Sequence, residues 1–302
     1  MKVADRTAGS LLGLAVGNAL GAPLDRMGPE QIQIRHGTVR EMIGGGWLLL
    51  RPGQTTTPVA LARRVAESLV EKRGLDGADV GARFASYYRT APKDVSGALR
   101  TALAMLADGA DPAEIAARVR ELTGEDSADH GTLARAVPLA LAFRARDKLQ
   151  AAAAREARVT HFDPTAGAAS AALAVLLSFL LSGKGRAEAF DLAWDWLEEH
   201  SREIPNVLPD VPARTETEIA PGSLAVAALE TAVWYFLTSS DFEETVVRVA
   251  NRGGEAAVTT AVAGALAGAR WGVGAIPVRW LKPLADRTVL RHLAGDLLQA
   301  SA

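Results

Sequence analysis

Apolar residues recur along most of this chain at helical spacing. Between Val59 and Glu71 they fall at Leu61, Val65, Ala66 and Leu69, with Arg63, Arg64 and Glu67 on the opposite side. Asp111 followed by Pro112 is an N-cap with proline in the first helical turn, and Ile115, Val119 and Leu122 continue the period until Gly124 stops it. Further helices are predicted over Leu133 to Leu149, Ala166 to Leu181, Ala187 to His200, Ser223 to Leu237, Phe242 to Asn251, Val258 to Gly272 and Thr288 to Gln299. No stretch alternates convincingly enough to predict a strand. An all-α, multi-helix fold of about ten or more helices follows.

One of these helices is unusual. Ala261, Gly264, Ala265 and Gly268 lie three and four residues apart and share a face, so a neighbouring helix can approach closely there. With almost no polar face, Val258 to Gly272 is expected at the centre of the globule. No low-complexity linker divides the chain, so a single domain over residues 1–302 is expected. The nearest candidate is Ile204 to Gly222, which carries Pro205, Pro209, Pro212 and Pro221 together with Asp210, Glu216 and Glu218. A loop of that length is either a lid over a site or a plain surface excursion.

Composition narrows the function. The chain has 302 residues, is 49% hydrophobic and has a net charge of −2, with no basic run longer than Arg63-Arg64. No nucleic-acid partner is expected, since that requires a clustered basic face. Cysteine is absent, which excludes disulfides and thiolate metal sites. The apolar run Leu11 to Ala22 is short and broken by Gly13, Gly17 and Asn18, unlike a signal peptide. Ala166 to Leu181 falls short of a membrane span and reads as a buried helix. A soluble, cytoplasmic protein without a membrane partner is expected.

Three segments place polar groups and backbone N–H groups beside helix starts, where anions bind. They are Gly17-Asn18-Ala19-Leu20-Gly21-Ala22-Pro23-Leu24-Asp25, Gly53-Gln54-Thr55-Thr56-Thr57-Pro58-Val59, and Gly253-Gly254-Glu255-Ala256-Ala257-Val258. Gly44-Gly45-Gly46-Trp47 either lines a pocket or forms a turn. His36, His200 and His292 have no ligand spacing, so a histidine metal site is not expected.

The three segments occur in the order that resembles the ADP-ribosylglycohydrolase family. Gly17 to Gly21 is similar to that family's Gly-Asp-Ala-Leu-Gly, with Asn18 in place of aspartate, and Asp25 sits where the catalytic glutamate often lies. Counting back from Ala66-Glu67-Ser68-Leu69, Thr56-Thr57-Pro58-Val59 stands on the family's Thr-Asp-Asp-Thr. Glu255-Ala256-Ala257-Val258 stands on its Asp-Thr-Asp-Thr. Weaker echoes are Asp129 to Pro138, Thr160-His161-Phe162-Asp163-Pro164 and Ile276-Pro277-Val278-Arg279-Trp280, so the resemblance covers nearly the whole chain.

The resemblance implies a central cleft for ADP-ribose, a related nucleotide or N-riboside, or an ADP-ribosylated substrate. It implies Asp25 and Glu255 as the only acid–base candidates. The ligand-binding set it implies is Asn18, Thr56, Thr57, His130, Gly131, Thr132, His161, Gly253 and Gly254. Family members use metal, and Mg²⁺ needs several hard oxygen ligands. Pro58 and Ala257 supply no side-chain oxygen, and Val258 lacks the hydroxyl. No two-metal centre is therefore expected, and at most a weakly held Mg²⁺ on Glu255, Thr56, Asp25 and water. Three readings follow: a diverged hydrolase, a pseudoenzyme that binds ADP-ribose-like ligands, or a structural or interaction protein on the same fold.

Overall fold

The computed structural model describes residues 1–95, 97–123, 130–200, 210–219 and 222–300. The expected helix stop at Gly124, the first residue of the segment 129–138, and residues 204–209 and 220–221 of the proline-rich segment lie outside them. Among the described residues the fold is all-α, with no strand. An isolated bridge between Gly45 and Leu50 is the nearest approach to sheet.

Two helices form the axis, α1 (Val3–Gly21) and α13 (Ala256–Trp271). They run antiparallel, because Gly9, Gly13, Gly17 and Gly21 of α1 meet Gly268, Gly264, Thr260 and Ala256 of α13 in turn. The approach is backbone to backbone. A Cβ added at Gly13 would lie 2.1 Å from the Gly264 carbonyl oxygen, and one at Gly264 would lie 2.2 Å from that of Gly13. Only glycine fits such a contact. The small-residue face expected on α13 therefore has its partner, and every residue from Ala256 to Ala269 is buried. The Arg6 guanidinium donates to the carbonyls of Ala269 at 2.9 Å and Arg270 at 2.7 Å, placing a cation on the negative end of α13.

The sequence pattern misread the first of these helices. Gly13, Gly17 and Asn18 look like breaks in an apolar run, yet all three lie inside α1. Gly9, Gly13, Gly17 and Gly21 recur every four residues, which keeps the gap in side-chain volume on one face, and that face is filled by α13.

The other helices wrap this pair. They are α2 (Pro29–His36), α3 (Thr57–Lys72), α4 (Gly77–Tyr88), α5 (Gly97–Ala107), α6 (Pro112–Thr123), α7 (Leu133–Ala142), α8 (Arg146–Ala157), α9 (Pro164–Leu181), α10 (Arg186–His200), α11 (Ala225–Thr238), α12 (Phe242–Arg252), α14 (Val278–Leu281) and α15 (Arg287–Gln299). Helices α3, α7, α9, α11, α12 and α15 all touch the axis, and one apolar core joins both ends of the chain. Helices α2, α4 and α5 had no expectation from pattern.

Two expectations are corrected. The single helix expected over Leu133 to Leu149 is two, because Phe143 turns extended at φ −91 and ψ 134 and closes α7. The helix expected from Ala166 starts at Pro164, capped by the Asp163 carboxylate, and at 18 residues it is long and apolar enough to cross a membrane. Most of it is buried against α8, α7 and α10.

Candidate functional site

The three polar segments converge at the N-terminal ends of α3 and α13. The first is not a loop there, since Asn18 projects from the last turns of α1 and is fully buried. Its amide Nδ2 donates to Thr56 Oγ1 at 2.9 Å and to the Ala257 carbonyl at 3.1 Å. Its Oδ1 accepts the Thr56 backbone N–H at 2.7 Å and the Thr56 hydroxyl at 3.2 Å. An amide can donate and accept at once, and Asn18 uses both capacities to tie α1, α3 and α13 together.

Asp25 follows the 3₁₀ turn Ala22–Leu24 that ends α1. Its Oδ1 accepts the Ala257 N–H at 2.8 Å, one of the donors that a helix N-terminus leaves open. Burial pushes the Asp25 carboxyl up to about 6, with the Glu255 charge adding to the rise and the Ala257 N–H and His130 opposing it. Glu255 stands at the N-cap of α13 without capping it, and His130 Nε2 lies 3.1 Å from Glu255 Oε2. His130 and Gly131 arrive on the short turn before α7 and line the same cleft.

On the other wall, Thr57 is held by Asp94, a residue that no motif pointed to. Asp94 accepts the Thr57 N–H at 2.6 Å through Oδ2 and the Thr57 hydroxyl at 2.6 Å through Oδ1. The Tyr87 hydroxyl completes the group at 2.8 Å from Thr57 Oγ1. Asp94 thus caps α3 from a distance of 37 residues along the chain. Nothing in its local sequence announces this role, because only the α3–α4 hairpin returns it beside Thr57.

Trp47 covers the cleft from a tight turn and is 40% exposed. Gly44, Gly45 and Gly46 of that turn all have positive φ. Arg26 lays its guanidinium over the Trp47 ring at 3.7 Å from the centroid. The space enclosed by Asp25, Thr56, Thr57, Asp94, His130 and Glu255 is about 150 Å³.

Other expected residues sit elsewhere. Thr132 is fully buried, with its hydroxyl directed at the Ala166 carbonyl at 3.4 Å. His161 is also fully buried, its Nδ1 2.7 Å from Thr160 Oγ1. Thr160 in turn accepts from Arg135, which is ion-paired with the buried Glu156 at 2.8 Å. Gly253 and Gly254 do not present free N–H groups to a ligand. The Gly253 N–H goes to the Ala250 carbonyl at 3.1 Å and the Gly254 N–H to the Met27 carbonyl at 2.9 Å. Gly253 is required by packing, since a Cβ there would fall 2.0 Å from the Met27 oxygen at a φ of +71.

The residues present do not fit a pair of hard divalent cations. Pro58, Ala257 and Val258 have no side-chain oxygen, the Thr56 hydroxyl is engaged by Asn18, and the Thr57 hydroxyl is engaged by Asp94 and Tyr87. Among the described residues, no group of three or more histidine, aspartate or glutamate side chains could hold a metal ion.

Comparison with known proteins places this geometry in a family. The chain is 32% identical over 297 residues to the ADP-ribosyl-[dinitrogen reductase] glycohydrolase of Rhodospirillum rubrum, covering 96% of this chain and 94% of that protein. It is 27% identical over 316 residues to the ADP-ribosylarginine hydrolase Tri1 of Serratia proteamaculans, covering 97% of this chain and 79% of that one. A solved structure of an ADP-ribosylglycohydrolase-related protein complex superposes with a TM-score of 0.84 at 36% identity, covering 100% of this chain and 99% of the other. The family model for ADP-ribosylglycohydrolase matches residues 1–302, and the chain belongs to the ADP-ribosylglycohydrolase family.

Proposed function

We propose that the cleft binds ADP-ribose or a related N-riboside without a two-metal centre, and that metal-assisted hydrolysis has been lost. The observation that carries this reading is the Asn18–Thr56–Ala257 network. Hydrogen bonds between neutral groups close the point where the ends of α1, α3 and α13 meet, and the Asp25 and Asp94 carboxylates are engaged by the Ala257 and Thr57 N–H groups. Metal assistance contributes several kcal/mol to such a barrier, and each ~1.4 kcal/mol is about tenfold in rate.

The cleft suits part of such a ligand. Small-molecule pockets usually enclose about 300–1,000 Å³. A space of about 150 Å³ takes a sugar-sized group, and the remainder of the ligand lies along the rim beside Trp47. Backbone donors at Gly253 and Gly254 are committed to the protein, so recognition falls to His130, Gly131, Glu255, Asp94 and the Trp47 face. A rewired hydrolase is the second reading. Its support is the Asp25 carboxyl, whose value of about 6 puts proton transfer within reach near neutral pH.

Titration of ADP-ribose into the protein, in excess Mg²⁺ and in chelator, tests the first reading. Saturable binding of the same strength in both is expected, with release of ADP-ribose from modified arginine slower by orders of magnitude than in the ADP-ribosylarginine hydrolase of S. proteamaculans. Comparable turnover, abolished by Asp25→Asn or Glu255→Gln, would establish the rewired hydrolase. Failure of every nucleotide and riboside to raise the melting temperature would favour a structural or interaction protein.

A further inference from the structure

Helix α4 connects the cleft to a second cavity. Its last turn carries Tyr87, which bonds Thr57 at the cleft, and its first turn carries Gly77 and Ala78, which line a separate cavity of about 700 Å³. Ten residues of helix put the two about 15 Å apart. The second cavity lies within the size range of small-molecule sites.

Its walls divide into two kinds. Ala78 on α4 and Ala113 and Ala117 on α6 make one side, and their short side chains leave the space open. Arg155 and Arg158, from the last turn of α8 and its end, and Phe162, just before α9, make the other. The two arginines are three residues apart on one helical face, about 5–6 Å between their Cβ atoms. Among the described residues neither guanidinium has a hydrogen-bond or ion-pair partner. Asp111 is the acidic residue on the lining, and its Oδ1 already accepts the Ala113 N–H at 2.9 Å. The lining therefore carries an excess of positive charge. Phe162 is 37% exposed, and the Arg120 guanidinium sits 4.8 Å from its ring centroid, which holds the ring in place.

We propose that this cavity is a second ligand site and that it takes a mononucleotide-like aromatic phosphate. Arg155 and Arg158 hold the phosphate through their forked donors, and Phe162 supplies the surface for the planar ring. Neither half suffices alone. A lone anion leaves the apolar wall uncovered, and a lone base leaves the paired cations in water. The site shares no lining residue with the cleft, so its occupancy is separable from the function proposed above.

Calorimetric titration of the full chain with AMP, adenosine and inorganic phosphate tests the site. AMP is expected to bind at least tenfold tighter than either fragment. The double variant Arg155→Ala/Arg158→Ala should lose that binding by at least tenfold, as should the cavity-filling Ala117→Trp. All three residues are exposed, so circular dichroism should be unchanged. Trp47→Ala, in the cleft, should leave AMP affinity at this site within about twofold, and photolabelling with 8-azido-AMP should modify the segment 155–164. An unchanged AMP affinity in the double variant, phosphate binding as tight as AMP, or label confined to the cleft segments would each overturn the proposal.

Discussion

Replacing Asn18 by aspartate puts the carboxylate that the family resemblance implies at a position occupied here by a hydrogen-bonded amide. The Asn18 side chain is fully buried, and its Nδ2 donates to the Ala257 carbonyl at 3.1 Å. A carboxylate there sets two acceptors against each other and puts a charge in the core. The Thr56 N–H and hydroxyl still favour the ionised form, so the two effects partly cancel. The balance is a carboxyl raised above its usual value, and leaving the buried Ala257 carbonyl unsatisfied opposite a charge costs about 3 kcal/mol. The sign is then set. A carboxyl whose folded value is raised loses stability as pH climbs from the unfolded value to the folded one, and holds that loss above it. Near neutral pH Asn18→Asp should therefore be about 3 kcal/mol less stable than the native chain, with the gap closing towards about pH 4. Over 302 residues, at about 2.1 cal/mol/K each, this is about 5 °C in melting temperature. Calorimetric melting of both proteins across this pH range measures it. Excess Mg²⁺ should not restore the variant, because Pro58, Ala257 and Val258 give the ion no oxygen. A pH-independent difference, or recovery of the lost stability on adding Mg²⁺, would refute the reasoning.

Asp25 titrates in the same direction, its folded value of about 6 lying above the unfolded one. Asp25→Asn should gain stability relative to the native chain as pH rises from about 4 to about 6 and level off above that, read from melting curves at fixed ionic strength. At the helix axis, Gly13→Ala drives a Cβ to 2.1 Å from the Gly264 oxygen and should cost about 3 kcal/mol or more, measured by denaturant unfolding. Gly295→Ala on α15 meets no atom within 4 Å and should instead stabilise by about 0.4–1 kcal/mol.

Much of this protein was legible in its sequence because the signals are local. Helical periodicity needs only neighbouring residues, so α3, α6, α10, α12 and α15 were visible from apolar spacing and caps. The small residues of α13 announced a close helix contact before its partner was known. The three polar segments and the residues missing from them could be read directly, since which side chains carry an oxygen is fixed by residue type.

What tertiary structure alone decided are the pairings. Gly13 and Gly17 of α1 read only as interruptions of an apolar run until α13 supplied backbone on the face they leave bare. Asp94 had no signal, because capping Thr57 depends on where a hairpin folds back. The glycine pair at Gly253 and Gly254 looked like free donors until the Met27 and Ala250 carbonyls were found to occupy their N–H groups. His161 carried the family's spacing but lies in the core beside Thr160, away from the cleft. A sequence shows which groups can donate, accept or carry charge. Which of them remain available to a ligand is settled by the partners that folding brings within about 3 Å.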